Sequence, residues 1–128
     1  MAKLLIDSHV LIWLLYEPKR IGALATQMLA ETETVFVSTL SLWELTLKFS
    51  KHKLAYSPEE LIEGVKSLGA DRLPLHDNHL LQISHIDLPH KDPFDRTLIA
   101  QSEAENCILL TADQNLLNST YRTADVTK

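Results

Sequence analysis

Four carboxylates stand at or beside the ends of apolar runs: Asp7 after "KLLI", Glu44 inside "LSLWELTL", Asp95 in "KDPFDR" and Asp113 in "LLTADQNL". Acids so placed either cap helices, accepting a backbone N–H of the first turn, or converge on a positive charge. Convergence has a strict condition. Close like charges raise one another's pKa until some take up protons, unless a cation neutralises them. Magnesium suits such a site, because it wants oxygen ligands, accepts one or two carboxylates and keeps several waters. A pair of such ions activates water and stabilises the leaving oxygen of a phosphodiester. The chemistry at stake is metal-assisted phosphodiester hydrolysis, set against ordinary helix caps and, for Glu44, a solvated helix stripe.

Each acid keeps both readings. Asp7 closes a strand and opens a helix, the usual place of an N-cap. Glu44 lies between Trp43 and Leu45, so it faces either a narrow solvated stripe or a polar pocket. Asp92, Pro93 and Asp95 write a normal helix start, and the helix dipole favours both charges. Asp92 is assigned mainly to capping; Asp95, at the third position, can point forward and is kept for chemistry. Asp113 or Thr111 can cap the short helix that follows.

The elements that must position these acids alternate. "KLLI" reads as a buried strand followed at once by a helix, "SHVLIWLLY". Residues 21–31 are helical with Leu24, Met28 and Leu29 on one side. "TVFVS" is a strand, and "TLSLWELTLKFSKHK" a helix with Leu40, Trp43, Leu47 and Phe49 facing inward. "SPEELIEGVKSLG" is the clearest helix, with Ser57 as N-cap, Pro58 at the first position and Gly69 past the end. "RLPL" is a short strand and "HDNHLLQIS" a short helix. "DPFDRTLIAQSEAEN" is a helix, "CILLT" a strand, residues 114–117 a brief helix, and "TADV" a last strand. The alternation predicts an α/β domain, a three-layer α/β/α sandwich around a mostly parallel sheet. Sites in such sheets gather beyond the carboxyl ends of the strands, where strand order reverses. Asp7 and Asp113 each follow a strand.

Composition sets the outer bounds. The chain has 128 residues, 45% hydrophobic and 23% charged, with three glycines and five prolines. That is ordinary for one globular domain, taken as residues 1–128, and excludes a disordered or fibrous chain. A net charge of −5 opposes a general nucleic-acid coat, which needs many basic contacts to phosphate, but leaves room for an enzyme that meets nucleic acid locally. The one cysteine, Cys107 in "CILL", excludes an internal disulfide and is expected to be buried. No membrane span or secretory signal is read, since Asp7 and His9 interrupt the one apolar stretch near the start. A cytoplasmic location is expected.

Taken together, "LLIDSHVLIWLL", "VSTLSLWELTLK", "HKDPFDRTLIAQ" and "LLTADQNL" resemble the PIN-domain family, in its VapC-like toxin branch, in the right order over nearly the whole chain. The resemblance implies a Mg²⁺- or Mn²⁺-dependent ribonuclease with a parallel sheet between helices, the toxin of a type II toxin–antitoxin pair. It implies Asp7, Glu44, Asp95 and Asp113 as the four metal-holding acids, an RNA substrate, a cognate antitoxin and a homodimer. Two departures are visible: Ser8 stands where Thr is frequent, and Ala112 where Arg is often found.

Other polar residues complete the picture. Ser8 and Thr111, beside proposed ligands, either orient a carboxylate or water or serve as caps. Arg96 contacts substrate phosphate or pairs with an acid. The six histidines fit no closed zinc motif; His9 and His90, near the acid blocks, have open roles. "KFSKHK", with Lys48, Lys51 and Lys53, either guides an RNA backbone or is a solvated helix end. Trp13 and Trp43 are assigned to core or partner interface rather than to base-stacking platforms. Two rivals stand beside the nuclease: a module of the same fold that binds RNA or a partner without cleavage, and a phosphoryl-accepting receiver. The receiver leaves Glu44 unexplained.

Overall fold

The computed structural model describes residues 3–128. Five parallel strands make one sheet: β1 (Lys3–Ile6), β2 (Val35–Ser38), β3 (Asp71–Leu73), β4 (Cys107–Thr111) and β5 (Thr123–Asp125), in the order β3-β2-β1-β4-β5. The central strands are runs of Leu, Ile and Val because both of their faces are covered. Leu5 and Leu109 pair across β1 and β4 and enter one core; Ile6 and Leu110, the next pair, enter the other. That is the two-residue period of a strand sorting side chains to opposite faces.

On one face lie α1 (Ser8–Tyr16), α2 (Ala23–Glu31), α3 (Thr39–Ser50) and α4 (Pro58–Leu68), which bury Val10, Leu11, Leu42, Leu45 and Leu61 against Ile6 and Leu110. On the other, α6 (Pro93–Ala104) and α7 (Gln114–Leu117) bury Leu98, Ile99 and Leu116 against Leu5 and Leu109, and α5 (Asp77–Ile83) runs along α6. The result is the expected α/β/α sandwich with a parallel sheet. Cys107 is buried in the second core, as expected. In α4 the cap of Ser57, its reciprocal bond with Glu60 and the left-handed Gly69 (φ 71°) follow the sequence reading.

The chain builds β1, β2 and β3 outward, then returns through α6 to lay β4 on the opposite side of β1. Strand order therefore reverses between β1 and β4, and a crevice opens beyond their carboxyl ends. Asp7 directly follows one of those strands, and Thr111 ends the other, two residues before Asp113.

Three expectations about helices are corrected. In α3 the core takes Ser41, Leu42 and Leu45, while Trp43 is 54% exposed and Leu47 is also exposed. This helix is apolar almost all round, so periodicity cannot choose its inward side. In α2 the buried residue is Ala25, and Leu24 is exposed. That helix also starts at Ala23, later than expected, after a 3₁₀ turn over Pro18–Arg20. Gly22 forms its N-cap and donates its N–H to the Val126 carbonyl at 2.9 Å. A Cβ there would stand 2.2 Å from the Lys128 carbonyl carbon, so only glycine allows this approach.

Candidate active site

The carboxyl end of β1 delivers Asp7 into the crevice. Its backbone N–H donates to the Leu110 carbonyl at 3.2 Å, which holds it beside β4. Its Oδ1 accepts from Val10 N at 3.0 Å, and its Oδ2 accepts from the Thr111 hydroxyl. Asp7 is thus an N-cap and a cleft residue at once; the two readings do not compete. Ser8 opens α1 and donates its hydroxyl to Glu44 Oε1 at 2.8 Å, fixing the acid that comes from the middle of a helix. Glu44 faces a polar pocket, the second of its two readings.

From the second layer come Asp92 and Asp95. Asp92 Oδ1 accepts from Phe94 N at 2.8 Å and Asp95 N at 3.1 Å, the expected cap. Asp95 points forward, and its Oδ2 lies 3.1 Å from His90 Nε2. Asp113 caps α7 through Asn115 N at 2.9 Å, while its own N–H donates to Thr111 Oγ1 at 3.0 Å. The Thr111 hydroxyl therefore ties Asp7 to the turn that carries Asp113.

These elements enclose one cavity of about 230 Å³ lined by Asp7, Ser8, His9, Glu44, Lys48, Asp92, Asp95, Leu98 and Asp113. All four acids singled out from the sequence meet there. So do two charged residues whose place was missed. Asp92, assigned to capping, also faces the cavity. Lys48, left between a guiding role and a solvated helix end, lies one turn beyond Glu44 on the same face of α3, the i,i+4 relation that could have located it. Among the described residues its ammonium makes no hydrogen bond or ion pair, though five carboxylates line the same space.

Arg96 goes elsewhere. Its guanidinium donates to the carbonyls of Ile86 (2.6 Å), Leu88 (3.3 Å) and His90 (3.3 Å), and it does not line the cavity. The sequence reading offered it a phosphate or an acid; its partners are backbone carbonyls of the segment leading into α6. His79 is buried between the His76 N–H, which its Nδ1 accepts at 3.0 Å, and Glu105 Oε2 at 2.8 Å. Glu105 is held below the usual carboxylate range chiefly by that histidine bond.

Burial first, and crowding after it, shows in the titration of two of the acids. Burial raises the Asp7 carboxyl above its ordinary value, against the pull of its bonds from Thr111 and Val10, with Glu44 adding repulsion. Asp95 is pushed up to about 6, first by burial and then by Asp92 and Asp113, and its contact with His90 opposes this only in part. Such a site favours cations.

The donor set tests what cation. Every acidic ligand offers oxygen, and there is no cysteine in the cavity. Among the described residues no three Asp, Glu, His or Cys side chains are grouped as a ready-made cage for one ion. The residues therefore do not fit a closed zinc site. They fit a hydrated hard ion that takes one or two carboxylates directly and reaches the others through water.

Comparison with known proteins agrees with this geometry. The family model for the PIN domain matches residues 4–121. No curated protein matches the chain. Among solved structures, DNA-bound VapBC from Salmonella typhimurium is similar at TM-score 0.72 and 16% identity, covering 98% of each chain. VapBC-1 from nontypeable Haemophilus influenzae gives 0.68 and 13%, covering 100% of each. A toxin–antitoxin complex from Klebsiella pneumoniae gives 0.65 and 13%, covering 98% of this chain and 97% of that one. At these identities the likeness is one of fold.

Proposed function

The chain belongs to the PIN-domain family, and from that premise we propose that it is a metal-dependent ribonuclease and the toxin of a type II toxin–antitoxin pair. The single observation that carries the reading is the meeting of Asp7, Glu44, Asp95 and Asp113 in one cavity at the point where strand order reverses. A divalent cation would relieve the repulsion that this gathering builds near neutral pH.

In this reading Asp7, Glu44, Asp95 and Asp113 hold Mg²⁺ or Mn²⁺, directly or through water. A bound divalent ion supplies Lewis-acid polarisation of a phosphate and a supply of nucleophilic water at neutral pH. The chain's own groups set the stage. Thr111 and the Val10 N–H fix both oxygens of Asp7, Ser8 fixes Glu44, and His90 fixes Asp95. The Lys48 ammonium, left unpaired, meets a non-bridging phosphate oxygen of the strand being cut. Water supplies the attacking oxygen: one P–O bond forms, one bridging P–O bond breaks, and no protein nucleophile is consumed.

The partners follow the same reading. RNA is the substrate, and an antitoxin covers the cleft by offering Arg or Lys to its acids. Trp43, 54% exposed beside Phe94 at a ring-centroid distance of 5.3 Å, supports a homodimer through α3 and α6. Among the described residues no helix is long and apolar enough to cross a membrane. A cytoplasmic setting and a single nuclease domain over residues 1–128 belong to this proposal.

Purified protein incubated with a panel of RNAs in Mg²⁺ or in EDTA tests it. Cleavage in Mg²⁺ that stops in EDTA and in Asp7→Asn is the expected result. Binding without cleavage under every condition would replace the nuclease by a non-cleaving module.

A further inference from the structure

Beside the acid cleft lies a second hollow of about 270 Å³, lined by His9, Trp13, Ala112 and Asp113. It shares His9 and Asp113 with the cleft, so the two spaces are neighbours. We propose that this hollow is a nucleobase subsite, which takes the unpaired base of a nucleotide flanking the phosphate being cut. The proposal rests on the ribonuclease reading above.

Its walls have the chemistry of base recognition. His9 and Trp13 are one turn apart on α1, with ring centroids 6.5 Å apart and planes inclined at 51°, so neither ring covers the other. His9 is exposed, and its ring nitrogens make no hydrogen bond among the described residues. Trp13 is held from outside the hollow by Arg20, whose guanidinium lies 5.0 Å from the indole centroid and is itself tied to Glu17 at 3.2 Å. Proteins that bind single-stranded RNA stack splayed bases on aromatic rings, histidine included, and hydrogen-bond their edges. Here one helix face offers two rings and a free ring nitrogen, and the far wall is the small Ala112.

The lining also excludes the other half of a nucleotide. It carries the Asp113 carboxylate and neither Lys nor Arg. A phosphate there would face an anion with no Lys or Arg in the lining, and the nearby Arg20 is already tied to Glu17, whereas the cleft next door holds the unpaired Lys48. Phosphate belongs in the cleft and the heterocycle in the hollow. The volume is below the roughly 300 Å³ of a drug-sized pocket, in keeping with one ring system.

The chain has two tryptophans, so Trp43→Phe leaves Trp13 as the sole indole reporter, and Asp7→Asn in the same protein suppresses cleavage. This variant is titrated with a decamer of uridylate, a decamer of adenylate and an abasic phosphodiester strand of equal length. Base-dependent quenching of Trp13, absent with the abasic strand, is expected. Adding Ala112→Leu fills the hollow and should weaken the base-bearing strands about tenfold while leaving the abasic strand unchanged. His9→Ala, at an exposed position, should act in the same direction if the leucine variant fails to fold. Equal quenching by the abasic strand, no quenching by any strand, or folded variants that bind as before would each overturn the subsite. Wild-type cleavage in Mg²⁺ is measured alongside: base-dependent quenching without cleavage removes the nuclease reading, and cleavage without it removes only the subsite.

Discussion

The Ser8 hydroxyl donates to Glu44 Oε1 at 2.8 Å, bridging 36 residues of sequence and joining the start of α1 to the middle of α3. Glu44 is the one acid of the cleft that sits in the middle of a helix, so its aim depends on this bond. A hydrogen bond to a charged group contributes about 1.5–3 kcal/mol. Ser8→Ala is therefore expected to cost up to that much in urea unfolding and to lower RNA cleavage by roughly 10- to 100-fold at saturating Mg²⁺. Ser8→Thr keeps the hydroxyl and should retain most of the rate. Equal rates for the alanine variant and the wild type would remove Ser8 from the machinery.

Asp95 links the site to stability. Its folded pKa of about 6 lies above its ordinary 3.8, so the native state binds the proton more tightly than the unfolded chain. The contribution of Asp95 is then most favourable below pH 3.8 and is lost as pH rises through 6. Above that, the ionised carboxyl costs on the order of 1–2 kcal/mol, allowing for partial solvent screening. Asp95→Asn should raise the melting temperature of metal-free protein at pH 7.5 and flatten the slope between pH 4 and 6, while abolishing cleavage. Mg²⁺ should stabilise the wild type more than this variant, by mass action on the folded state. A less stable Asp95→Asn protein at pH 7.5 would contradict the electrostatic account.

Lys48 presents the complementary case, a cation in the cleft that none of the five carboxylates pairs with. Were it there to neutralise acids, its removal would destabilise the fold; held for phosphate, it should act on substrate. Lys48→Gln is expected to raise KM for RNA about tenfold and to lower the salt dependence of binding by about one unit of log–log slope. It should also tighten Mg²⁺ binding, because a positive charge leaves the metal's surroundings. Calorimetric Mg²⁺ titration and filter binding at several salt concentrations separate these effects. An unchanged salt slope would place Lys48 outside the RNA contact.

Much of this arrangement is legible in the sequence because strand ends and helix starts are marked by residue type. "KLLI" and "CILLT" are buried strands whose neighbours in sequence, Asp7 and Asp113, must lie at their carboxyl ends, and a parallel sheet brings such ends to one side. The fold class and the candidacy of Asp7 and Asp113 for one site follow; Glu44 and Asp95 join them in the sequence reading only through the family resemblance. What is not legible depends on rotation and reach. The six large apolar side chains of α3 lie all round the helix, so its turn about its own axis, which exposes Trp43 and aims Lys48, is set by contacts with α1, α4 and α6. Asp92 satisfies a cap completely, so nothing in its local pattern announces a second role. Arg96 follows Asp95 directly, yet a long side chain can reach in many directions, and here three carbonyls claim it.

That claim is itself testable. The Arg96 guanidinium bonds to carbonyls at residues 86, 88 and 90, the last belonging to the histidine that touches Asp95. A lysine has one ammonium and cannot span three acceptors with the fixed fork of a guanidinium. Both Arg96→Ala and Arg96→Lys are expected to cost about 2–3 kcal/mol in urea unfolding, since carbonyls lose charged donors. Residues 86–92 should become the first site of limited proteolysis. Loss of RNA binding at unchanged stability would instead give Arg96 the phosphate contact.

Gln101 extends the same logic into the core. It is fully buried in α6; its Oε1 accepts from the Ser38 hydroxyl at 2.5 Å and its amide donates to the Pro74 carbonyl at 3.3 Å. Ser38 in turn accepts from Leu40 N at 3.0 Å, capping α3, the helix that carries Glu44 and Lys48. One amide thus ties β2, the segment after β3 and α6 to the start of the helix that carries Glu44. Gln101→Leu keeps the volume but leaves the Ser38 proton and the Pro74 carbonyl without a partner inside a region of low dielectric. The expected cost is about 2–3 kcal/mol. Ser38→Ala alone should cost about 1–2 kcal/mol through the lost cap, and the double variant should fall short of the sum, because both changes break one bond. Urea unfolding of the three variants gives the coupling. Strict additivity would mean that Ser38 and Gln101 act independently, and that the start of α3 is fixed by packing alone.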